Sequence, residues 1–156
     1  MPQAILHTPI RASVQTVWAV LLDKAEHPQR YLDDVLECRI LERSGTELLR
    51  ELELSGACWL RERVHAQPER HTLVYRLEAH PAYEGAVVNR LYLEPGGGVC
   101  LESELDWRLK PGAEAPEDDP AGLLRQAANQ VKVIAEELDR DRPPQPEEAV
   151  PEVHPA

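Results

Sequence analysis

The sequence predicts an α+β fold: a curved antiparallel sheet of six or seven strands wrapped around one long C-terminal helix, with two short helices closing one end. Three observations predict it. Between Pro120 and Leu138, the residues Leu124, Ala127, Val131, Ile134 and Leu138 recur at spacings of three and four, which marks one apolar helical stripe. Between Val35 and Lys110 lie six runs with β-branched or alternating patterns, each followed by turn chemistry. In the last run Val99, Leu101, Ser103, Leu105, Trp107 and Leu109 alternate with Cys100, Glu102, Glu104, Asp106 and Arg108, the pattern of a sheet covered on one face.

Taken in order, Ala4 to Ile10 reads as a first strand. Ser13 then caps a helix through Leu22 that puts Val14, Val17, Trp18 and Leu21 on one face. Residues 23–34 contain Pro28 and mixed charges, consistent with a short turn of helix and a loop. The strands follow as Val35–Glu42, Glu47–Leu54, Cys58–Gln67, Arg70–Ala79, Ala86–Glu94 and Val99–Lys110. The final helix opens at Asp119-Pro120, an N-cap acceptor followed by a residue pre-set for the first turn. Burial of Leu124, Val131, Ile134 and Leu138 is worth roughly 6–12 kcal/mol gross, at about 1.5–3 kcal/mol each. The organisation is one domain over residues 1–138 and an acidic, Pro-rich tail over 139–156 expected to be disordered, with five prolines in eighteen residues.

Composition narrows the partners. The net charge of −11 is concentrated in residues 114–119 and 139–156, which carry −4 and −3. Clustered Lys and Arg are missing, so nucleic acid is not an expected partner. No apolar run approaches the length of a membrane span, and the N-terminus lacks the pattern of a secretory leader. The cysteines Cys38, Cys58 and Cys100 are odd in number and fall inside strands, which suits free thiols in a reducing cytoplasm. No CxxC or HxxxH pair points to a metal, and no cofactor is expected. Gly96-Gly97-Gly98 reads as a hairpin turn, because it lacks the strand–loop–helix setting of a phosphate cradle. His65, His71 and His80 alternate onto the outer face, and no Ser or Cys has a fixed basic neighbour for a nucleophilic triad.

Strand parity places a polar band on the inward face. A three-residue loop at Ser55–Ala57 pairs Leu54 with Cys58 and sets Arg50 opposite Glu62. A two-residue turn at Pro68-Glu69 pairs Gln67 with Arg70 and sets Glu62 opposite Tyr75, which then faces Asn89 or Leu91. Pairing Leu93 with Val99 sets Asn89 opposite Ser103. Arg50, Glu62, Tyr75, Asn89 and Ser103, joined by Trp107 and by Val131 of the helix, form the candidate ligand-binding set. Glu62 and Tyr75 are the candidate catalytic pair. A buried carboxylate demands a cation or a proton, and Arg50 is the cation this register offers. The band therefore reads either as a cross-strand ion pair with satisfied hydroxyls, or as groups that orient a ligand's polar atoms.

The stretch HTPIRASVQTVWAVLLDKAEHPQRYLDDVLECRILER, residues 7–43, resembles the opening segment of the Bet v 1-like, START-type (SRPBCC) superfamily of helix-grip proteins. Within it, the chain is similar to a small family grouped with the fungal biosynthetic protein AtaL, over about residues 4–138. The resemblance implies a cavity between sheet and long helix that holds a small, largely apolar molecule. Superfamily members bind lipids, cyclise polyketides or act as co-chaperones. The expected function is accordingly binding of such a molecule, the alternative a cyclase or isomerase using Glu62 and Tyr75, and the third a protein-interaction module built on the acidic loop and tail. With no Phe in the chain, aliphatic side chains are expected to line the cavity more than rings.

Overall fold

The structure, a computed structural model, describes residues 3–56, 58–116 and 119–141. The elements run β1 (Gln3–Ile10), α1 (Val14–Glu26), β2 (Val35–Ser44), β3 (Glu47–Leu54), β4 (Cys58–Gln67), β5 (Thr72–Ala79), β6 (Tyr83–Leu93), β7 (Val99–Leu109) and α2 (Pro120–Asp141). Single 3₁₀ turns at Pro28–Arg30 and Pro68–Arg70 interrupt the connections. Seven strands form one antiparallel sheet in the order β1-β7-β6-β5-β4-β3-β2. Strands β2 to β7 are a simple meander, and β1 closes the far side by pairing with β7. The sheet is curved and open, with the long helix against it, so the fold is helix-grip.

Local chemistry explains the helices. Ser13 caps α1 by accepting from the Thr16 backbone N–H at 3.2 Å. The far end of α2 supplies a second cap: Asp139 accepts from the Ser13 backbone N–H at 3.1 Å and from the Thr16 hydroxyl at 2.7 Å. Glu136 accepts from the Arg11 backbone N–H at 2.9 Å. Two carboxylates of one helix thus sit at the N-terminal end of the other, where the helix dipole favours negative charge.

The core has two parts. One gathers Val17, Leu21, Leu73, Leu91, Val99, Leu101, Ala128, Val131 and Ala135 between α1, α2 and the middle of the sheet. The other gathers Leu52, Leu60, Tyr83, Leu105 and Trp107, with Leu124 of α2 packed at its margin.

Several expectations need correction. Helix α2 runs to Asp141, three residues past the expected end, and Leu138 is 54% exposed. The buried stripe is instead Ala127, Ala128, Val131 and Ala135. Beyond Ala135 the contacts of the helix are polar, Glu136 with Arg11 and Asp139 with Ser13 and Thr16. The Pro68–Arg70 turn is followed by His71 in the left-handed region, which lengthens the loop to four residues. Gln67 therefore pairs with Thr72, Glu62 faces Leu77, and Tyr75 faces Val64 on one side and Val87 on the other. The slip is two residues, so every side chain keeps its face. Arg50 opposite Glu62, and Asn89 opposite Ser103, stand as read from the sequence. His80 is buried rather than on the outer face. Of the expected tail, residues 142–156 lie outside the described residues.

Candidate functional site

A cavity of about 110 Å3 opens between the sheet and the first turns of α2. Its apolar wall comes from Leu52, Leu54, Leu60, Val87, Leu105 and Leu124. Its polar members are Lys24, Asp34, Arg50, Glu62, Tyr75 and Trp107. Of the candidate residues, the structure thus brings Arg50, Glu62, Tyr75 and Trp107 to one cavity. Asn89 and Ser103 are buried on the same inward face, and Val131 is buried on α2, but none of these three lines it. A larger surface groove of about 430 Å3 lies against Glu37, Arg39, Glu51, Glu53, Cys58 and Trp59. Arg39 and Glu51 pair with each other there, and Leu52 is the one lining residue it shares with the interior cavity.

Arg50 organises one end of the cavity. It is 6% exposed, and its Nε and Nη2 both donate to Glu62 Oε1, at 3.0 and 2.6 Å. Its Nη1 donates to the Ala25 carbonyl at 2.6 Å, at the C-terminal end of α1, where a cation is favoured by the helix dipole. Burial pushes the guanidinium pKa down, but Glu62 and Tyr75 outweigh it and hold it above its usual value. One side chain thereby satisfies a buried carboxylate and a helix end together. Glu62 Oε2 takes no hydrogen bond among the described residues.

Two cations stand over the Tyr75 ring. Lys24 Nζ stands 4.6 Å from the centre of its ring and the Arg50 guanidinium carbon 5.0 Å. The Tyr75 hydroxyl and the Trp107 indole N–H are buried, and neither has a hydrogen-bond partner among the described residues. The same holds for Asn89 Nδ2. Such groups are rare, since a lost hydrogen bond in the interior costs about 1–3 kcal/mol. Trp107 is fixed by Tyr83 and His80, whose ring centres lie 5.3 and 5.4 Å away. His80 is fixed in turn, because its Nδ1 accepts from the backbone N–H groups of Ala82 and Tyr83 at 2.9 and 3.0 Å. Opposite Trp107 sits Gly85 with φ of 130°, in a place where a Cβ would fall 2.1 Å from the Asp106 carbonyl oxygen.

Two contributors escape a sequence reading. Lys24 reaches the cavity because α1 ends over β3, and its only sequence signal is a basic residue in the last helical turn. His80 precedes Pro81 in a turn, and strand alternation does not extend through a turn. Cys38 is half-buried, and burial pushes its thiol pKa up, which marks a quiet side chain. Among the described residues no group of three or more His, Cys, Asp or Glu is placed to hold a metal ion, and no helix is long and apolar enough to cross a membrane.

The family described as AtaL, acetylaranotin biosynthesis cluster protein L, matches residues 10–139. No curated protein matches the sequence. Among solved structures, the chain is similar to the Zhui aromatase/cyclase from a Streptomyces species, with a TM-score of 0.67 and 18% identity over 86% of this chain and 93% of that one. It is similar to a START superfamily protein from Mycobacterium smegmatis, with a TM-score of 0.68 and 17% identity over 87% and 98%. A protein from Thermus thermophilus superposes with a TM-score of 0.65 at 15% identity, over 88% and 96%. At such identities the likeness concerns the fold.

Proposed function

The chain belongs to the AtaL family, and on that premise we propose that it binds a small, largely apolar organic molecule in the cavity between the sheet and α2. The observation that carries this reading is a pair of buried donors, on Tyr75 and Trp107, without hydrogen-bond partners among the described residues, on two side chains that line a cavity whose remaining wall is largely Leu and Val. A ligand oxygen would satisfy them, and Leu52, Leu60, Leu105 and Leu124 would cover the rest of the molecule. Arg50 and Glu62 shape the polar end by holding each other in place.

A thermal-shift panel of apolar acids, phenols, sterols and polyketide-like compounds tests the reading. A ligand bound only by the folded state at one hundred times its Kd adds about 2.7 kcal/mol of stability. The expected result is a shift for wild type that Ala127→Leu, which fills the cavity from α2, abolishes. Shifts that survive the filled cavity would place binding elsewhere and overturn the proposal.

One observation favours a second reading, an enzyme of cyclase or isomerase type. Glu62 is held through Oε1 alone, which leaves Oε2 as an acceptor beside the cavity, as a general base requires. Zhui, which shares the fold, is an aromatase/cyclase. An enzyme would lose turnover in Glu62→Gln while retaining its substrate, whereas a carrier would show no turnover with any bound compound.

A further inference from the structure

The size of the cavity and its unpartnered atoms together restrict what fits. A dry cavity of about 150 Å3 holds one benzene; this one measures about 110 Å3 and opens toward the first turns of α2. The enclosed space is no larger than a single ring needs, and Leu123 and Leu124 of α2 line it.

The polar atoms then define the ring's substituents. Trp107 Nε1 only donates, so it demands an acceptor. On Glu62 the Oε1 atom is paired with Arg50, and Oε2 of that carboxylate accepts and does not donate, so it suits a donor. The Tyr75 hydroxyl does either. Glu62 and Trp107 stand on β4 and β7, with β5 and β6 between them, so the donor and the acceptor belong at different positions of the ligand. Formal charge at the wall cancels, Lys24 and Arg50 against Asp34 and Glu62, which favours neither an anion nor a cation.

We propose, on the reading of this cavity as a ligand site, that it takes a neutral single-ring compound with a hydroxyl at one end and a carbonyl or equivalent acceptor oxygen at the other. The hydroxyl donates to Glu62 beside Tyr75, and the acceptor meets the Trp107 N–H.

Calorimetric titration at pH 6 tests this with para-hydroxybenzaldehyde as the probe. Para-cresol lacks its acceptor, benzaldehyde lacks its hydroxyl, para-hydroxybenzoate is an anion and tyramine a cation. The probe is expected to bind wild type tighter than all four. Trp107→Phe removes the donor and keeps the ring; it should weaken the probe about 2- to 12-fold, the value of one hydrogen bond, and leave para-cresol unchanged. Equal losses for probe and para-cresol, or tighter binding of the benzoate or of tyramine, would overturn the inference while leaving the cavity a binding site. If none of the five binds, yet larger compounds of the panel shift wild type and lose the shift in Ala127→Leu, the inference falls and the binding reading stands. If nothing binds in either experiment, both fall.

Discussion

Replacing Arg50 with methionine isolates the most consequential interaction in the molecule. The substitution keeps an unbranched chain and removes four hydrogen bonds, two to Glu62 and one each to the Lys24 and Ala25 carbonyls. Glu62, 5% exposed, is left as a buried carboxylate with no cation. Breaking such a pair from one side costs about 3–5 kcal/mol. Against a total stability of roughly 5–15 kcal/mol, that is a large fraction. For a chain of this length the melting temperature falls by roughly 2–4 °C per kcal/mol, so a loss of about 6–20 °C is expected. The double variant Arg50→Met, Glu62→Leu removes both charges. Its remaining deficit is the orphaned Ala25 carbonyl, about 1–3 kcal/mol. Urea unfolding of wild type, both single variants and the double closes the cycle. If Arg50→Met alone loses less than about 1 kcal/mol, or if the double variant is no more stable than Arg50→Met, the reasoning is refuted. The pair would then contribute nothing that its desolvation does not cancel.

Two further outcomes follow from other parts of the structure. Gly85→Ala should destabilise by on the order of 1–3 kcal/mol, because φ of 130° strains any L side chain and the new Cβ meets the Asp106 carbonyl at 2.1 Å; a melting temperature within about a degree of wild type would show that β6 and β7 separate freely there. Acid should also weaken the fold. Hydrogen bonds from Arg43 lower the Glu26 pKa, those from Arg61 and Arg39 lower Glu51, and the Arg11 backbone N–H with Lys132 lowers Glu136. At Glu102 burial raises the pKa, but Arg90 and His7 outweigh it. Lowered carboxylates contribute stability that is present above their ordinary value of 4.5 and is lost as pH falls below it. The urea midpoint should drop between pH 5 and pH 3, by less in Glu136→Gln; a midpoint that rises on acidification would contradict these assignments.

The sheet was largely legible from turn chemistry. Ser55–Ala57 and Pro95–Gly98 are short, polar and Gly-containing, so the Arg50–Glu62 and Asn89–Ser103 registers follow from counting. The Pro68 turn misleads because the extra residue pair is taken up by a 3₁₀ turn and a left-handed His71, a conformation that a non-Gly residue rarely adopts. Parity survived the error, so the inward face was legible even where the pairing was not. The extent of α2 was not, because its last turn is held by its own Asp139 carboxylate accepting from donors at the start of α1 rather than by apolar periodicity. Lys24 and the Trp107–His80 packing depend on chain segments far apart in sequence, and no local pattern announces them.

The pairing of β1 with β7 also has a meaning for the order in which the chain takes shape. Gln3 lies beside Asp106, and Ser13 is capped by Asp139. On a ribosome adding roughly 5–20 residues per second, the first strand would wait about 5–20 s for the strand that receives it. The α1 N-terminus would wait longer still for its carboxylate. Meanwhile the β2–β7 meander has every pairing partner close behind it in sequence. The expected sequence of events is a hairpin-by-hairpin sheet first, followed by late arrival of both chain ends, so that the cavity closes only when nearly the whole domain has been made.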